Sequence, residues 1–239
     1  MTDIPFGSRP SSVLVKERGE ISLDDLLRTV PRAVSDLTPP SGVYVRVIKP
    51  FVDRVFGAVL LFAAFPMLAV VLLAVRCTMG KHVLYKQERV GLDGRVFVIY
   101  KVRTMRHDRR LEREPYEGPD RRQTHKSSDD PRHTPLGRWL RRSSIDELPQ
   151  LWNVVCGDMS LVGPRPELVP VVAREGLWRH PRHLLRPGIT GLWQISSARG
   201  GEIRLGLDFD VVYVHHVSWR TDLRIVVNTF AALFRNPGR

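Results

Sequence analysis

The chain has 239 residues, 43% of them hydrophobic and 26% charged, a globular composition that excludes wholesale disorder. That length allows one sizeable domain with an appendage, or two small domains. Lys and Arg number 37 against 25 Asp and Glu, and the net charge of +12 points to a polyanionic partner: nucleic acid, an anionic membrane surface or phosphorylated substrates. Cys77 and Cys156, the only cysteines, cannot build a disulfide framework and have no zinc-ligand spacing around them, so a reduced, cytoplasmic setting is expected.

Residues 1–45 are polar and broken by Pro5, Pro10, Pro31, Pro39 and Pro40. They read as a flexible extension with room for a short helix at 21–27. Residues 46–80 form the membrane segment, and residues 55–75 of it, VFGAVLLFAAFPMLAVVLLAV, carry no charge. An uninterrupted helix of that length is about 31 Å long, roughly one bilayer core. Pro66 stands at its middle, where it removes a backbone hydrogen bond and crowds the preceding turn. Cations flank both ends: Arg46, Lys49 and Arg54 before, Arg76, Lys81, Lys86 and Arg89 after. Cytoplasmic flanks carry the Lys/Arg excess, so a helix that breaks near Pro66 and returns to the same face satisfies both ends at once and is favoured over the simpler reading, a single span.

Residues 81–239 are read as a cytoplasmic catalytic domain. A β-hairpin is predicted from strands at 83–86 and 96–102, with Gly91-Leu92-Asp93-Gly94 as the turn. The stretch 101–142 then holds 13 Lys/Arg against 7 Asp/Glu, and its polar, proline-broken part at 106–135 reads as a surface loop suited to anionic headgroups. Helical material follows at 139–155, stopped by Gly157. Residues 184–195 read as loop with a short strand, and 210–217 and 221–234 as helices. In the last helix Leu223, Val226, Val227, Phe230 and Phe234 share one apolar face, which suits core packing and a membrane surface equally.

P-loop, GxGxxG, HExxH and GxSxG motifs are absent. His215 and His216 are adjacent, so on a helix they should diverge rather than share a metal. SSIDELPQLWNVVCGD carries the most chemical information. Pro149 belongs in a helix's first turn, which puts the start near Asp146 and two carboxylates, Asp146 and Glu147, at the positive end of a helix dipole. An ordinary acidic cap is the simpler reading, since Ser144 and Glu147 match a capping box. Arg141 and Arg142 lie just upstream, however, and Arg165 lies between Pro164 and Pro166, which restrict its backbone. Carboxylates with arginine forks suit a Mg²⁺-diphosphate substrate. Asp208-Phe209-Asp210 also forms a DxD triplet of the kind that holds a metal in nucleotide-sugar glycosyltransferases.

Four long stretches in fixed order, KQERVGLDGRVFVIYKVRTM, LGRWLRRSSIDELPQLWNVVCGDMSLVGPRPEL, RPGITGLWQ and DFDVVYVHHVSWRTDLRIV, strongly resemble the bacterial sugar transferase family. These are the monotopic phosphoglycosyl transferases that initiate exopolysaccharide, O-antigen, capsule and glycoprotein-glycan assembly, and the likeness runs over about residues 49–234. It implies an α+β, helix-rich fold: a monotopic membrane protein with a Pro-broken re-entrant helix, a small β-hairpin and amphipathic interfacial helices. It also implies transfer of a sugar 1-phosphate from a UDP-sugar to undecaprenyl phosphate with release of UMP, on the cytoplasmic face of the bacterial inner membrane against its anionic leaflet.

By the same resemblance Asp146 is the nucleophile that forms an acyl-phosphate intermediate, and Glu147 binds Mg²⁺ or handles protons, with Asp146 as the other metal-side carboxylate. Arg141, Pro164, Arg165, Pro166, Lys101, Arg103 and Asp210 fall on substrate-binding positions, which displaces the DxD reading of Asp210. Two departures stand out: Phe65 replaces the serine that many members carry before the membrane proline, and Ile195-Ser196-Ser197-Ala198-Arg199 lacks a glycine turn common there. With one apolar segment, the chain resembles the family's minimal form. A metal-dependent DxD glycosyltransferase releasing UDP and a membrane-tethered basic binding protein are the alternatives. No aromatic-interleaved RNA motif or helix-turn-helix pattern supports nucleic-acid binding. The sugar and the oligomeric state are left open.

Overall fold

The computed structural model describes residues 40–105, 134–195 and 203–235, with side chains of the last stretch from 206 to 231. The predicted helix at 21–27, the basic loop at 106–133, residues 196–199 and the side chains of Phe234 and Arg235 lie outside the described residues.

A short π-helical turn, Tyr44–Ile48, leads into α1, Lys49–Met79. The helix is continuous with Pro66 inside it, and is not interrupted at the expected turning point. Its contacts are uneven along its length. Lys49, Asp53 and Gly57 are buried near one end and Leu68, Val71 and Val75 near the other, while Phe62, Phe65 and Met67 between them are exposed. Both arms rest on the same domain. Asp53 accepts hydrogen bonds from the Ser160 hydroxyl at 2.6 Å and the Leu161 N–H at 3.2 Å. A Cβ on Gly57 would come within 2.9 Å of Val154, so glycine lets this arm approach the domain closely. On the other arm Leu68, Val71 and Val75 form a core with Val102 and Leu140. Burying each such side chain is worth about 1.5–3 kcal/mol.

The hairpin forms from β1, Leu84–Val90, and β2, Val96–Val102, in antiparallel register with Tyr85 opposite Lys101 and Arg89 opposite Phe97. Its first strand runs four residues beyond the predicted end at Lys86, because the pairing continues to Val90 opposite Val96. Asp93 makes the turn with φ 54°.

The helical material predicted at 139–155 forms two helices. The first, α2, is Pro135–Arg142, capped by the Thr134 side chain, which accepts from the Gly137 N–H at 2.9 Å. Ser144 then takes a left-handed φ of 57° and a 3-10 turn spans Ile145–Glu147. Next comes α3, Gln150–Cys156, stopped as expected by Gly157 at φ 86°. The capping box does not form, since the left-handed Ser144 makes no side-chain cap, and the carboxylates precede α3 on the turn rather than opening a helix.

Beyond it lie β3, Ser160–Val162; β4, Glu167–Leu168; α4, Val169–Arg174; β5, Gly188–Thr190; and α5, Leu192–Ile195. Strand β4 extends the hairpin to a three-stranded antiparallel sheet in the order β2-β1-β4, and β3 and β5 pair in parallel. The last two helices are α6, Ile203–His215, and α7, Trp219–Arg235. The single apolar face predicted for α7 is divided. Ile225 is buried and Val226 packs beside it, whereas Trp219, Leu223, Val227 and Phe230 are exposed. The overall class, helix-rich α+β with one long apolar helix among the described residues, agrees with the sequence reading.

Candidate functional site

The Asp146–Glu147 turn is mounted on α1. Ile145 and Leu148, on either side of the pair, pack against the cluster of Leu68, Val71, Val75, Val102 and Leu140. Alternation along the hairpin supplies the opposing wall. Lys101 and Tyr85 face each other across the strands, and Gln87 and Arg89 project to that same face two and four residues further along.

Lys101 Nζ donates to Glu147 Oε1 at 2.9 Å. Burial lowers the Lys101 pKa, and the charges of Arg165 and Arg89 lower it further, while Glu147 and Asp146 oppose them. Arg89 donates to the Pro166 carbonyl at 2.9 Å and to Gln87 Oε1 at 2.6 Å. Burial, then Arg165, takes its guanidinium down to about 10. Three cations, Lys101, Arg89 and Arg165, therefore crowd one another beside two carboxylates. Like charges held this close are costly without anions among them, and a diphosphate supplies such anions.

Arg165 is delivered by the end of the parallel strand pair. The ladder continues past β3, with Gly163 N–H donating to the Thr190 carbonyl at 2.9 Å and Gly188 N–H to the Pro164 carbonyl at 2.8 Å. A Cβ on Gly163, Gly188 or Gly191 would collide with the facing backbone, so glycine is required for this approach. Pro164 and Pro166 are buried and Arg165 is half-buried between them, its guanidinium 5.7 Å above the ring of buried Trp193.

The remaining predicted residues lie elsewhere or further back. Arg141 is half-buried in the last turn of α2, upstream of the carboxylate turn. Arg103 binds the end of α1: its Nε donates to the Met105 carbonyl at 2.8 Å, and its Nη1 to those of Met79 and His82 at 3.2 Å each. Asp210 is 3% exposed and pairs with Arg182 at 2.8 Å behind the Arg165 loop. Asp208, two residues before it, is exposed, so the DxD triplet does not present two carboxylates to one ion. The rings of His215 and His216 are 4.8 Å apart and tilted rather than diverging. Sequence reading missed Arg89, Arg182 and Trp193. The strand parity that Arg89 shares with Tyr85, opposite Lys101, was the available signal for it.

As a magnesium site the pair is incomplete without substrate. Glu147 already holds Lys101, and no group of three His, Cys, Asp or Glu side chains converges among the described residues. One or two carboxylates completed by phosphate oxygens is a donor set Mg²⁺ accepts, so the residues fit an ion that arrives with a diphosphate.

Comparison with known proteins places the chain. The family description "Bacterial sugar transferase" matches residues 44–236. The chain is 36% identical over 210 residues to the UDP-glucose:undecaprenyl-phosphate glucose-1-phosphate transferase of Escherichia coli K12, covering 83% of this chain and 42% of that protein. Against the Caulobacter vibrioides protein of the same name the identity is 39% over 206 residues, 82% of this chain and 73% of the relative. The exopolysaccharide production protein ExoY of Sinorhizobium fredii is 34% identical over 215 residues, 87% of this chain and 93% of its own length. Several relatives are much longer: the chain spans 42% of the Escherichia coli, Haemophilus influenzae and Erwinia amylovora proteins it matches. With that match running from residue 44, just before the apolar helix, to just past the end of α7, this chain belongs to the bacterial sugar transferase family.

Proposed function

We propose that this protein transfers a sugar 1-phosphate from a UDP-sugar to undecaprenyl phosphate at a membrane surface and releases UMP. The observation that carries the reading is the placement of Asp146 and Glu147, backed onto an exposed apolar helix and faced by Lys101, Arg89 and Arg165. A water-soluble diphosphate and a lipid-borne phosphate can meet there. The names of the Escherichia coli and Caulobacter relatives support the same donor and acceptor classes.

In the first step an Asp146 carboxylate oxygen attacks the sugar-bearing phosphorus. The bond from that phosphorus to the bridging oxygen breaks, UMP leaves with the electron pair, and an aspartyl phosphosugar remains. An oxygen of undecaprenyl phosphate then attacks the same phosphorus and frees the carboxylate, leaving a lipid-linked sugar diphosphate. Arg89, Lys101 and Arg165 hold the diphosphate oxygens and offset charge that builds on the leaving UMP. Glu147 orients Lys101 through their ion pair. Asp146 or Glu147, together with the donor's phosphates, would hold Mg²⁺, which would supply further charge neutralisation there.

Both ends of α1 pack on one domain while its middle is exposed, which supports a re-entrant course with 58–67 as the tip embedded in the bilayer and the domain on the cytoplasmic leaflet. The exposed Trp219, Leu223, Val227 and Phe230 of α7, beside Arg220 and Arg224, suit the interface of an anionic leaflet.

The deciding experiment incubates the membrane-extracted protein with UDP-glucose and other UDP-sugars, Mg²⁺ and undecaprenyl phosphate, with Asp146→Asn alongside. UMP formation that depends on the lipid and on Asp146 is expected; UDP as the product, or full activity in Asp146→Asn, defeats the mechanism. For the topology, single cysteines at exposed Val43 and Lys81 should both react with an impermeant thiol reagent from the cytoplasmic side only, and labelling from opposite sides overturns the re-entrant course.

A further inference from the structure

Arg165 is gripped by its backbone from behind. Asp210 on α6 pairs with Arg182 at 2.8 Å behind the Arg165 loop. Arg182, in the 3-10 turn Pro181–Leu184, donates Nη2 to the Arg165 carbonyl oxygen, with the Glu167 carboxylate 3.7 Å away. The carbonyl of Arg165 is thus held by one member of an ion pair whose other member comes from a second element. Arg182 and Asp210 are 4% and 3% exposed, which seals them from solvent. A buried ion pair adds little net stability, so its distinctive effect here is geometric. Pro164 and Pro166 restrict the backbone on either side, and Trp193 lies under the guanidinium.

We propose that Arg182 and Asp210 are positioning residues for Arg165, fixing the peptide from which its guanidinium reaches the donor's diphosphate, and that Asp210 itself makes no contact with substrate. This rests on the transferase reading above for the identity of the ligand, though the clamp itself is testable without it. The physical logic is pre-organisation: a residue held in place before the substrate arrives loses less freedom on binding it.

Neither proline has an N–H, so Arg165 carries the only exchangeable backbone amide between Gly163 and Glu167. Hydrogen exchange of a peptide covering this loop, in the full chain in detergent, therefore reads how firmly the Arg182–Asp210 pair holds the segment. Asp210→Asn strands Arg182 and can disturb folding, so Arg182→Met/Asp210→Leu is run beside it, because an apolar replacement of both partners preserves packing. Both are expected to speed exchange of the Arg165 amide about tenfold or more with the rest of the core still protected. Unchanged exchange in the folded double variant overturns the clamp.

The functional arm is a double-mutant cycle on UMP release. Asp210→Asn should raise the KM for UDP-glucose about tenfold, yet change it less than about twofold in an Arg165→Ala background. Additive losses overturn the proposal, since Asp210 would then act independently of Arg165. Wild-type protein without UMP release from any UDP-sugar sinks the transferase reading and leaves the exchange result to decide the clamp.

Discussion

Lys101 Nζ lies 2.9 Å from Glu147 Oε1, tying the second hairpin strand to the turn that carries the carboxylate pair. The strand presents Lys101 because it alternates with core-facing neighbours, and the turn presents Glu147 because Ile145 and Leu148 are packed on α1. This contact aligns two surfaces that arise from segments on either side of residues 106–133.

Lys101→Met is expected to lower kcat/KM for UMP release about 10- to 100-fold, the loss of one charge-assisted hydrogen bond worth about 1.5–3 kcal/mol. Lys101→Arg should recover only part of it, because a planar fork does not reproduce a compact ammonium. Steady-state kinetics with UDP-glucose measure both. A rate within about twofold of wild type for Lys101→Met would remove this residue from the site.

The start of α1 is anchored by a second, buried set of charges. Lys49 Nζ lies 2.6 Å from Asp222 Oδ2 and 3.6 Å from Asp53 Oδ2. Tyr44 and Tyr213 each donate a hydroxyl to Asp222 at 2.7 Å. Lys49→Met leaves two buried carboxylates without their cation, a loss of about 3–5 kcal/mol. Adding Asp222→Asn, whose side-chain oxygen still accepts from a tyrosine, should return part of the lost stability. Thermal unfolding in detergent reports both; a Lys49→Met protein as stable as wild type would show that the anchor contributes nothing.

Much of this arrangement was legible in the sequence, and the reasons differ by element. The hairpin followed from apolar alternation and a glycine-flanked turn, and the end of α3 from Gly157, because those signals are local. The acidic pair stood out as well. Pro149 signalled a new helix start near Asp146, but the left-handed Ser144 and the 3-10 turn before it were not legible, because LRRSSIDEL carries no local turn signal and Ile145 and Leu148 pack against α1. The role of Asp210 was illegible for a related reason. Its spacing from Asp208 says nothing of Arg182, which reaches it from a separate turn. Arg89 was read only as a flank charge of the membrane segment, whereas strand pairing turns it toward Arg165.

The hairpin end that carries Arg89 should loosen in acid. His183, 6% exposed, places Nδ1 3.1 Å from the Gly91 carbonyl oxygen, just past the end of β1. A carbonyl only accepts, so Nδ1 holds the proton and the neutral ring satisfies the contact. Burial, with Arg182 adding repulsion, takes the His183 pKa from 6.5 down to about 4. The same causes take neighbouring His180 to about 4. Between these values the unfolded chain binds protons that the folded chain refuses, so this stabilisation is present above pH 6.5 and is lost as the pH falls toward 4. For His183 it amounts to roughly 3 kcal/mol at full extent. Asp210 works in the opposite sense over part of the window, burial raising its carboxyl to about 7 against the pull of Arg182. The clean comparison is therefore between variants. His183→Asn, which can still donate to Gly91, should lose less stability than wild type between pH 7.5 and pH 5 in denaturant unfolding. Parallel losses in the two proteins would show that His183 is not the group that senses the acid.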